Sequence, residues 1–256
     1  MKQAWTTAAV MALAATSATA GGIERTAQSV APIFEDGNYV EFSIGKVKPE
    51  VSGTAGGVAS GDMAADYTQV GFAYKHQLSD ELSFALIMDQ PYGADVAYAS
   101  GTGYPFAGAT ADLNTTALTG ILRYKLNDGF SVHAGLRYQT IDATIAIPVL
   151  AGTPVGYSAV GNKDGSTGYL LGVAYEIPDI ALRVALTYNS KIKHNVSTDE
   201  IWGGGAITRT DITEINTPQS VNLDFQSGIA KDTLIFGGIR WVDWSEFDIT
   251  PAQFAS

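Results

Sequence analysis

Connections between β-strand-like segments alternate between short and long along this chain. The short ones are Ser79-Asp80-Glu81, Asn127-Asp128-Gly129, Pro178-Asp179 and Lys231-Asp232, and the long ones cover residues 49–66, 91–114, 148–166 and 195–217. A transmembrane β-barrel has short turns at one end and long loops at the other, whereas a soluble sandwich has no reason to sort its loops by length. The pattern therefore predicts an all-β, antiparallel transmembrane barrel with short periplasmic turns and long extracellular loops.

The N-terminus has the features of an export signal. Lys2 precedes an apolar stretch from Ala8 to Ala15, and Ala18-Thr19-Ala20 offers small residues for cleavage. We therefore assign residues 1–20 to a signal peptide, 21–37 to a short N-terminal periplasmic or hatch-like segment, and 38–256 to a partial β-barrel. No later segment approaches the ~20 continuous apolar residues of a membrane helix. Export and a barrel together predict the outer membrane of a Gram-negative cell.

The strand-like segments have one apolar and one polar face. From Ile180 to Lys193, apolar even positions oppose an odd face that includes Arg183, Lys191 and Lys193. Such alternation with a period of two indicates strands. Tyrosines end several apolar faces, as an interfacial aromatic girdle requires. They are Tyr74, Tyr124, Tyr138, Tyr175 and Tyr188.

Composition supports a membrane barrel and excludes nucleic acid as a partner. Charged residues make up 16% of the chain, below the roughly 25% usual for soluble domains. The net charge of −11 leaves no basic surface to neutralise phosphates. Nucleic-acid binding is therefore not expected.

Three segments, read in order, resemble one family. The first runs from Thr217-Pro218-Gln219-Ser220 to the ending Trp241-Val242-Asp243-Trp244-Ser245-Glu246-Phe247. The others are Tyr124-Lys125-Leu126-Asn127-Asp128-Gly129-Phe130-Ser131 and Ala185-Leu186-Thr187-Tyr188-Asn189-Ser190-Lys191-Ile192. They are similar to the FadL/TodX (OMPP1) family of outer-membrane transporters for long-chain fatty acids and other hydrophobic compounds.

The resemblance implies a fourteen-stranded barrel, an even number as in other single-chain bacterial barrels. It also implies an N-terminal hatch and a lateral opening at a kink in the third strand. The matching positions here are Gln90, Pro91, Tyr92 and Gly93. Pro91 removes a ladder donor, so a break in pairing is physically reasonable. The alternative is that Pro91 ends the strand and begins a loop.

The strand count leaves the barrel open. Alternation accounts for about nine strands, an odd number that cannot close a single-chain barrel. Unpaired strand edges in hydrocarbon cost several kcal/mol for each backbone group. We therefore expect the sequence to be truncated after its ninth strand, with a missed or split strand as the alternative.

The candidate ligand residues lie on the predicted lumen face. Apolar contacts to the ligand are expected from Ile121, Leu170, Phe236 and Val242. Arginine suits a carboxylate because it binds both oxygens at once, and the candidates are Arg123, Arg137, Arg183 and Arg240. Hydrogen bonding that stiffens the barrel is the alternative role for these arginines.

No catalytic motif accompanies these residues. The sequence has no nucleophile elbow, phosphate-binding loop or metal-spaced histidine pair, so we expect no enzyme activity, no cofactor and no metal. The predicted function is passive outer-membrane uptake of long-chain fatty acids or other hydrophobic small molecules. Expected partners are a fatty acid-like ligand and outer-membrane lipid, around a monomeric barrel. The alternatives are a general diffusion porin, a structural or adhesive surface β-protein, and a soluble secreted sandwich.

Overall fold

The computed structural model describes residues 22–127, 129–148, 156–251 and 254, so the predicted signal peptide lies outside the described residues. The strands are β1 (Tyr39–Val47), β2 (Thr54–Ala55), β3 (Val58–Ala59), β4 (Tyr67–Gln77), β5 (Leu82–Asp89), β6 (Gly93–Ala97), β7 (Thr110–Lys125), β8 (Phe130–Ile147), β9 (Tyr157–Ile177), β10 (Leu182–Asn189), β11 (Ile192–Trp202), β12 (Ile207–Thr217), β13 (Ser220–Ala230) and β14 (Thr233–Val242). Short 3-10 turns occupy Ala31–Phe34, Pro178–Ile180 and Gly203–Gly205.

Twelve of these strands form one curved antiparallel sheet. In three places two short strands follow one another in the same position of the wall: β5 and β6, β10 and β11, and β12 and β13. The wall therefore contains nine strands in chain order, which confirms the predicted count. Within the described residues the edge strands β1 and β14 do not pair with each other.

The two faces of the sheet are the reverse of those in a soluble sandwich. The outward side chains are large and apolar, with 66% of Leu136 and 52% of Leu171 exposed. The inward side chains include Arg123, Arg137 and Gln139, all buried. Exposed leucine in water forfeits about 25 cal/mol per Å² of apolar surface, so the outward face requires lipid. The predicted transmembrane β-barrel fold is confirmed.

Tyrosines lie at both ends of the apolar band. On β9 the outward face runs from Tyr175 through Val173 and Leu171 to Tyr169. Beyond Tyr169 the same face carries Thr167, Gly165 and Lys163. This change from apolar to polar marks the extracellular boundary of the membrane on this strand.

The strands continue further into the predicted long loops than the sequence indicates. β6, the start of β9, and the hairpin of β11 and β12 all fall in segments expected to be loops. Outside lipid, an outward face has no need to be apolar, so the alternation disappears while the hydrogen-bonded ladder continues. The sorting into short turns and longer extracellular connections remains.

One face assignment was wrong. Lys191 and Lys193 are expected on the lumen face with Arg183, but both are exposed and pair with Glu246 and Glu214. The strand breaks between Asn189 and Ile192, and the inward positions change from odd to even numbers there. A pattern with a period of two cannot reveal such a switch.

Within the described residues, no helix is long and apolar enough to cross a membrane.

Candidate functional site

Residues 22–37 lie inside the curved sheet. The turn Ala31–Phe34 packs Ile33 and Phe34, together with Val30, against inward side chains of four wall strands. These inward residues are Ala85, Ile121, Leu170, Ala174 and Ala185. Burial of such apolar side chains stabilises the segment by about 1.5–3 kcal/mol for each large residue. Residues 30–34 therefore occupy the periplasmic half of the lumen, whereas Ile23 packs against the buried cluster around Leu113 and Val196.

Phe34 is the centre of this packing. The guanidinium of Arg123 lies 4.6 Å from the Phe34 ring centroid, and that of Arg183 lies 5.0 Å away. The ring of His133 meets Phe34 edge-on at 5.6 Å. Cation–π contacts of this kind contribute about 0.5–2 kcal/mol each. The segment is thus attached to the wall by electrostatic as well as apolar contacts.

Arg123 and Arg137 have protein partners within the lumen. Arg123 pairs with Glu176 and donates from Nε to Ser131 Oγ at 3.0 Å. Arg137 donates to Thr119 Oγ1 at 2.9 Å. Arg137 also donates to Gln28 of the N-terminal segment and to Asn189 Oδ1, the latter at 3.2 Å.

Arg240 connects the last wall strand to the N-terminal segment. Its Nε donates to Glu24 Oε1 at 2.5 Å, and its Nη1 donates to Ser220 Oγ at 2.8 Å. Asn222 donates from Nδ2 to the carbonyl of Ala27 at 2.8 Å. The segment is therefore held at both sides of the curved sheet.

The third wall strand is interrupted at the sequence-predicted kink. β5 ends at Asp89 and β6 begins at Gly93; both pair with β7, with the register shifted by one residue between them. The main-chain N–H and carbonyl of Tyr92 bond the Thr115 hydroxyl at 2.8 and 2.6 Å. The chain therefore remains in the wall after Pro91.

The N-terminal segment fills the space left beside this interruption. Residues 67–71 of β4 pair with β1 but have no ladder partner on β5 or β6. Arg25 N–H donates to the Pro91 carbonyl at 2.9 Å, and the Gly93 N–H donates to the Ile23 carbonyl at 2.8 Å. Arg25 also pairs with Asp95 and lies 4.0 Å from the Tyr67 ring centroid. We call this space, between residues 67–71 and 90–95, the β4/β6 gap.

A separate apolar cavity of about 240 Å³ occupies the extracellular half of the lumen. Strands β6, β7, β8, β9, β11 and β12 and the chain after β14 contribute to its lining. The apolar lining side chains are Ala94, Ala111, Leu113, Ala143, Ile145, Tyr157, Ala159, Val196, Ile215, Ile249, Pro251 and Phe254. Phe254 packs on the rings of Tyr157 and Trp202, at centroid distances of 4.8 and 6.0 Å.

A carboxylate stands next to the cavity lining in the segment after β14. Asp248 precedes Ile249, and hydrogen bonds from the Thr250 side chain and N–H lower the pKa of its carboxyl group. The carboxyl is therefore ionised near neutral pH. Asp112 also belongs to the cavity lining.

The sequence-predicted ligand residues do not form this cavity. Ile121 and Leu170 lie under the N-terminal segment, whereas Phe236 and Val242 are on the edge strand β14. Leu113, which lines the cavity, continues the inward face of β7 above Ala117 and Ile121. Extending the alternation of β7 beyond the apolar band would have identified Leu113.

No group of three or more side chains suited to holding a metal ion occurs among the residues that the structure describes.

An inward polar lumen, an outward lipid-facing band and an internal N-terminal segment define a Gram-negative outer-membrane β-barrel of the transport type. A family model for outer membrane transport proteins (OMPP1/FadL/TodX) matches residues 3–256. The chain belongs to this family, as the sequence motifs suggested, and its members are transport proteins, not enzymes. No curated protein matches the chain.

Solved structures share the fold at low sequence identity. A FadL homologue from Pseudomonas aeruginosa has a TM-score of 0.63 at 17% identity, covering 84% of this chain and 62% of its own. A deltaS2S3 mutant of the monoaromatic hydrocarbon channel TodX has a TM-score of 0.61 at 14% identity, covering 84% of this chain and 64% of its own. The Pseudomonas putida toluene transporter TodX gives 0.52 at 13%, covering 84% and 63%. The chain thus spans less than two thirds of the length of these proteins.

Proposed function

We propose that this protein is a passive outer-membrane channel for hydrophobic small molecules, and that the cavity between β6 and β12 is where they bind. Within that class we favour uncharged compounds over long-chain fatty acids. The observation that carries the proposal is the predominantly apolar lining of a cavity that the N-terminal segment leaves open. Ligand sites in proteins are typically apolar concavities of this kind.

The size of the cavity suits a small ligand. An apolar cavity of about 150 Å³ is sufficient to bind benzene. The cavity here has a volume of about 240 Å³, which accommodates a substituted single ring or a short alkyl chain. A long-chain fatty acid would extend well beyond it.

The charged residues in the lumen also favour an uncharged ligand. Arg25, Arg123 and Arg240 each pair with a carboxylate of this chain, at Asp95, Glu176 and Glu24. A fatty acid carboxylate that bound any of these three arginines would have to displace its partner, and breaking a buried pair costs several kcal/mol. An uncharged ligand pays no such penalty.

The N-terminal segment argues against a general diffusion porin. Val30, Ile33 and Phe34 occupy the lumen and pack against the wall. We propose that this segment acts as a hatch, which limits the passage of water and ions while the extracellular cavity remains accessible.

Uptake of toluene and oleate tests the proposal. Ala143→Phe fills the cavity from β8, and Ala134→Phe places the same side chain on the lipid face of the same strand. Overpacking costs about 1–3 kcal/mol, and 1.4 kcal/mol corresponds to tenfold in affinity. We therefore expect Ala143→Phe to lower saturable toluene uptake about tenfold, and Ala134→Phe to leave it unchanged.

The measurement is the initial rate of labelled-probe uptake into a Gram-negative host that lacks its own channel for the probe. Uptake equal to that of the empty host would refute transport of the probe. Faster uptake of oleate than of toluene would overturn the preference for uncharged ligands. Steady ion conductance in planar bilayers would favour the porin.

A further inference from the structure

A second interruption lies in the wall, between β9 and the strand formed by β10 and β11. β9 pairs with β10 up to Leu170↔Asn189 and with β11 from Gly161↔Thr198. Between these rungs, residues 162–169 face residues 190–197 in the same register, but the ladder is absent. One main-chain hydrogen bond crosses the lower border, from Ser190 N–H to the Tyr169 carbonyl at 2.9 Å. We call this space the β9/β11 gap.

Side chains fill this gap in place of the ladder. His194 is fully buried, and its Nδ1 lies 3.0 Å from Asp164 Oδ2. Its Nε2 lies 3.3 Å from Gln139 Oε1, which also accepts from Thr217 Oγ1 at 2.9 Å. Asp164 additionally accepts the Asn195 N–H at 3.3 Å. Each such hydrogen bond contributes only about 0.5–1.5 kcal/mol, so the closure can be released locally.

Glycines of β9 make room for this arrangement. A Cβ at Gly168 would lie 2.6 Å from Ile192 Cγ1, and one at Gly161 would lie 2.9 Å from Val196 Cγ1. Side chains of β11 therefore cross the β9 backbone where a regular rung would otherwise form. The β9/β11 gap can therefore close only because Ile192 and Val196 approach the β9 backbone closely at these two glycines.

The β9/β11 gap lies between the apolar cavity and the outer surface of the barrel. Gly161 and Val196 line the cavity from within. On the outer face, the gap begins directly above the exposed Tyr169, and the exposed Lys163 lies near its upper border. The gap thus meets the surface at the extracellular edge of the apolar band.

We propose that the β9/β11 gap is a side portal through which hydrophobic compounds reach the cavity from the extracellular membrane surface, and that the contact between Asp164 and His194 closes it. This inference rests on the proposed function, because it uses the same cavity. Separation of Asp164 from His194 opens the wall without unpairing any rung of the sheet, since the adjoining ladders at Leu170 and Gly161 stay formed.

A reversible staple tests the portal. Asn162 and Ser197 face each other at the upper border, with Asn162 Nδ2 3.1 Å from the Ser197 carbonyl. The chain has no cysteine of its own, so Asn162→Cys with Ser197→Cys forms the only disulfide available. Thr116→Cys with Thr140→Cys is the matched control, because this pair faces across the intact ladder of β7 and β8.

With the protein in the outer membrane, oxidation of the gap pair is expected to lower the initial rate of toluene uptake about threefold or more, with full recovery on reduction. The control pair should give the same rate in both states. Unchanged uptake with the gap pair fully oxidised would overturn the portal while leaving the proposed function intact. An untreated wild-type rate equal to that of the empty host would instead overturn the proposed function.

A second variant acts in the opposite direction. Gly168→Ala places a methyl group against Ile192 and pushes β11 away from β9, whereas Gly45→Ala on β1 meets no atom within 4 Å. We expect Gly168→Ala to raise the initial rate of toluene uptake above that of wild type. Gly45→Ala should match wild type. A Gly168→Ala rate equal to that of Gly45→Ala, in protein shown by its heat-dependent gel mobility to be folded, would contradict the portal.

Discussion

The β4/β6 gap and the β9/β11 gap interrupt the same wall and are closed by different means. Both have paired backbone on either side: Phe72↔Met88 and the Ala64↔Val96 bridge border the first. The β4/β6 gap is filled by the main chain of the N-terminal segment, whereas the β9/β11 gap is filled by side chains of the wall itself. Opening the first therefore requires a segment to move, and opening the second requires only side chains to separate.

The two gaps also differ in register. The ladder to β7 shifts by one residue between Asp89 and Gly93, where Pro91 cannot donate. The ladder between β9 and β11 resumes in its original register at Gly161. The first interruption is thus accompanied by a shift in backbone register, whereas the ladders on the two sides of the second share one register. We expect changes at the first gap to have the larger effects.

The largest effect is expected from Phe34→Ala, which removes the anchor of the segment that closes the β4/β6 gap. Truncation of a buried Phe costs about 3–5 kcal/mol, and Phe34 is only 7% exposed. We expect the segment to leave the lumen and ion conductance in planar bilayers to rise above that of wild type. Phe42→Ala, on the lipid face of β1 at 68% exposure, is the control. Equal conductance of the two variants would show that Phe34 does not hold the segment.

A smaller effect is expected from Arg25→Ala, which acts at the β4/β6 gap itself. Loss of Arg25 leaves Asp95 without its charge partner and removes the contact with Tyr67. Asp95 is 22% exposed, so solvent screening reduces the cost to about 1–3 kcal/mol. The upper end of the segment should detach while Phe34 still holds the lower end.

A cysteine at position 23 reports this detachment. In the Ile23→Cys background, a membrane-impermeant thiol reagent should label the Arg25→Ala protein faster than the parent. Lys46→Ala breaks an exposed pair with Asp66, in which the side chains are 60% and 43% exposed, and should leave labelling unchanged. Labelling that rises equally in both would mean that the pair with Asp95 has no special role.

The sequence alone predicts those features of the wall that are local to one strand. The apolar outward face of β9 from Tyr169 to Tyr175 follows from alternation, because hydrocarbon accepts only apolar side chains. The interruption of the ladder at Pro91 follows from the missing N–H of proline. Both are local properties of the chain.

The closures could not be predicted, because they depend on residues distant in sequence. Arg25 meets Asp95, and Gln28 meets Arg137, only once the N-terminal segment lies in the lumen. The contact between Asp164 and His194 depends on the face switch after Asn189, which leaves no trace in a polar stretch of sequence. Outside the lipid band, alternation carries too little information to place side chains.

The smallest effect is expected from His194→Ala, which tests whether the β9/β11 gap is held by side chains alone. The variant loses the contacts with Asp164 and Gln139, at a cost of about 1–3 kcal/mol. Because a local opening of 1.4 kcal/mol changes exchange about tenfold, amides of residues 190–197 should exchange faster by roughly that factor. His76→Ala, at a histidine whose Nδ1 has no hydrogen-bond partner, should leave these amides unchanged. Faster exchange that extends into β10 and β13 would show instead that His194 supports the whole sheet. The β9/β11 gap would then not be closed by local side-chain contacts alone.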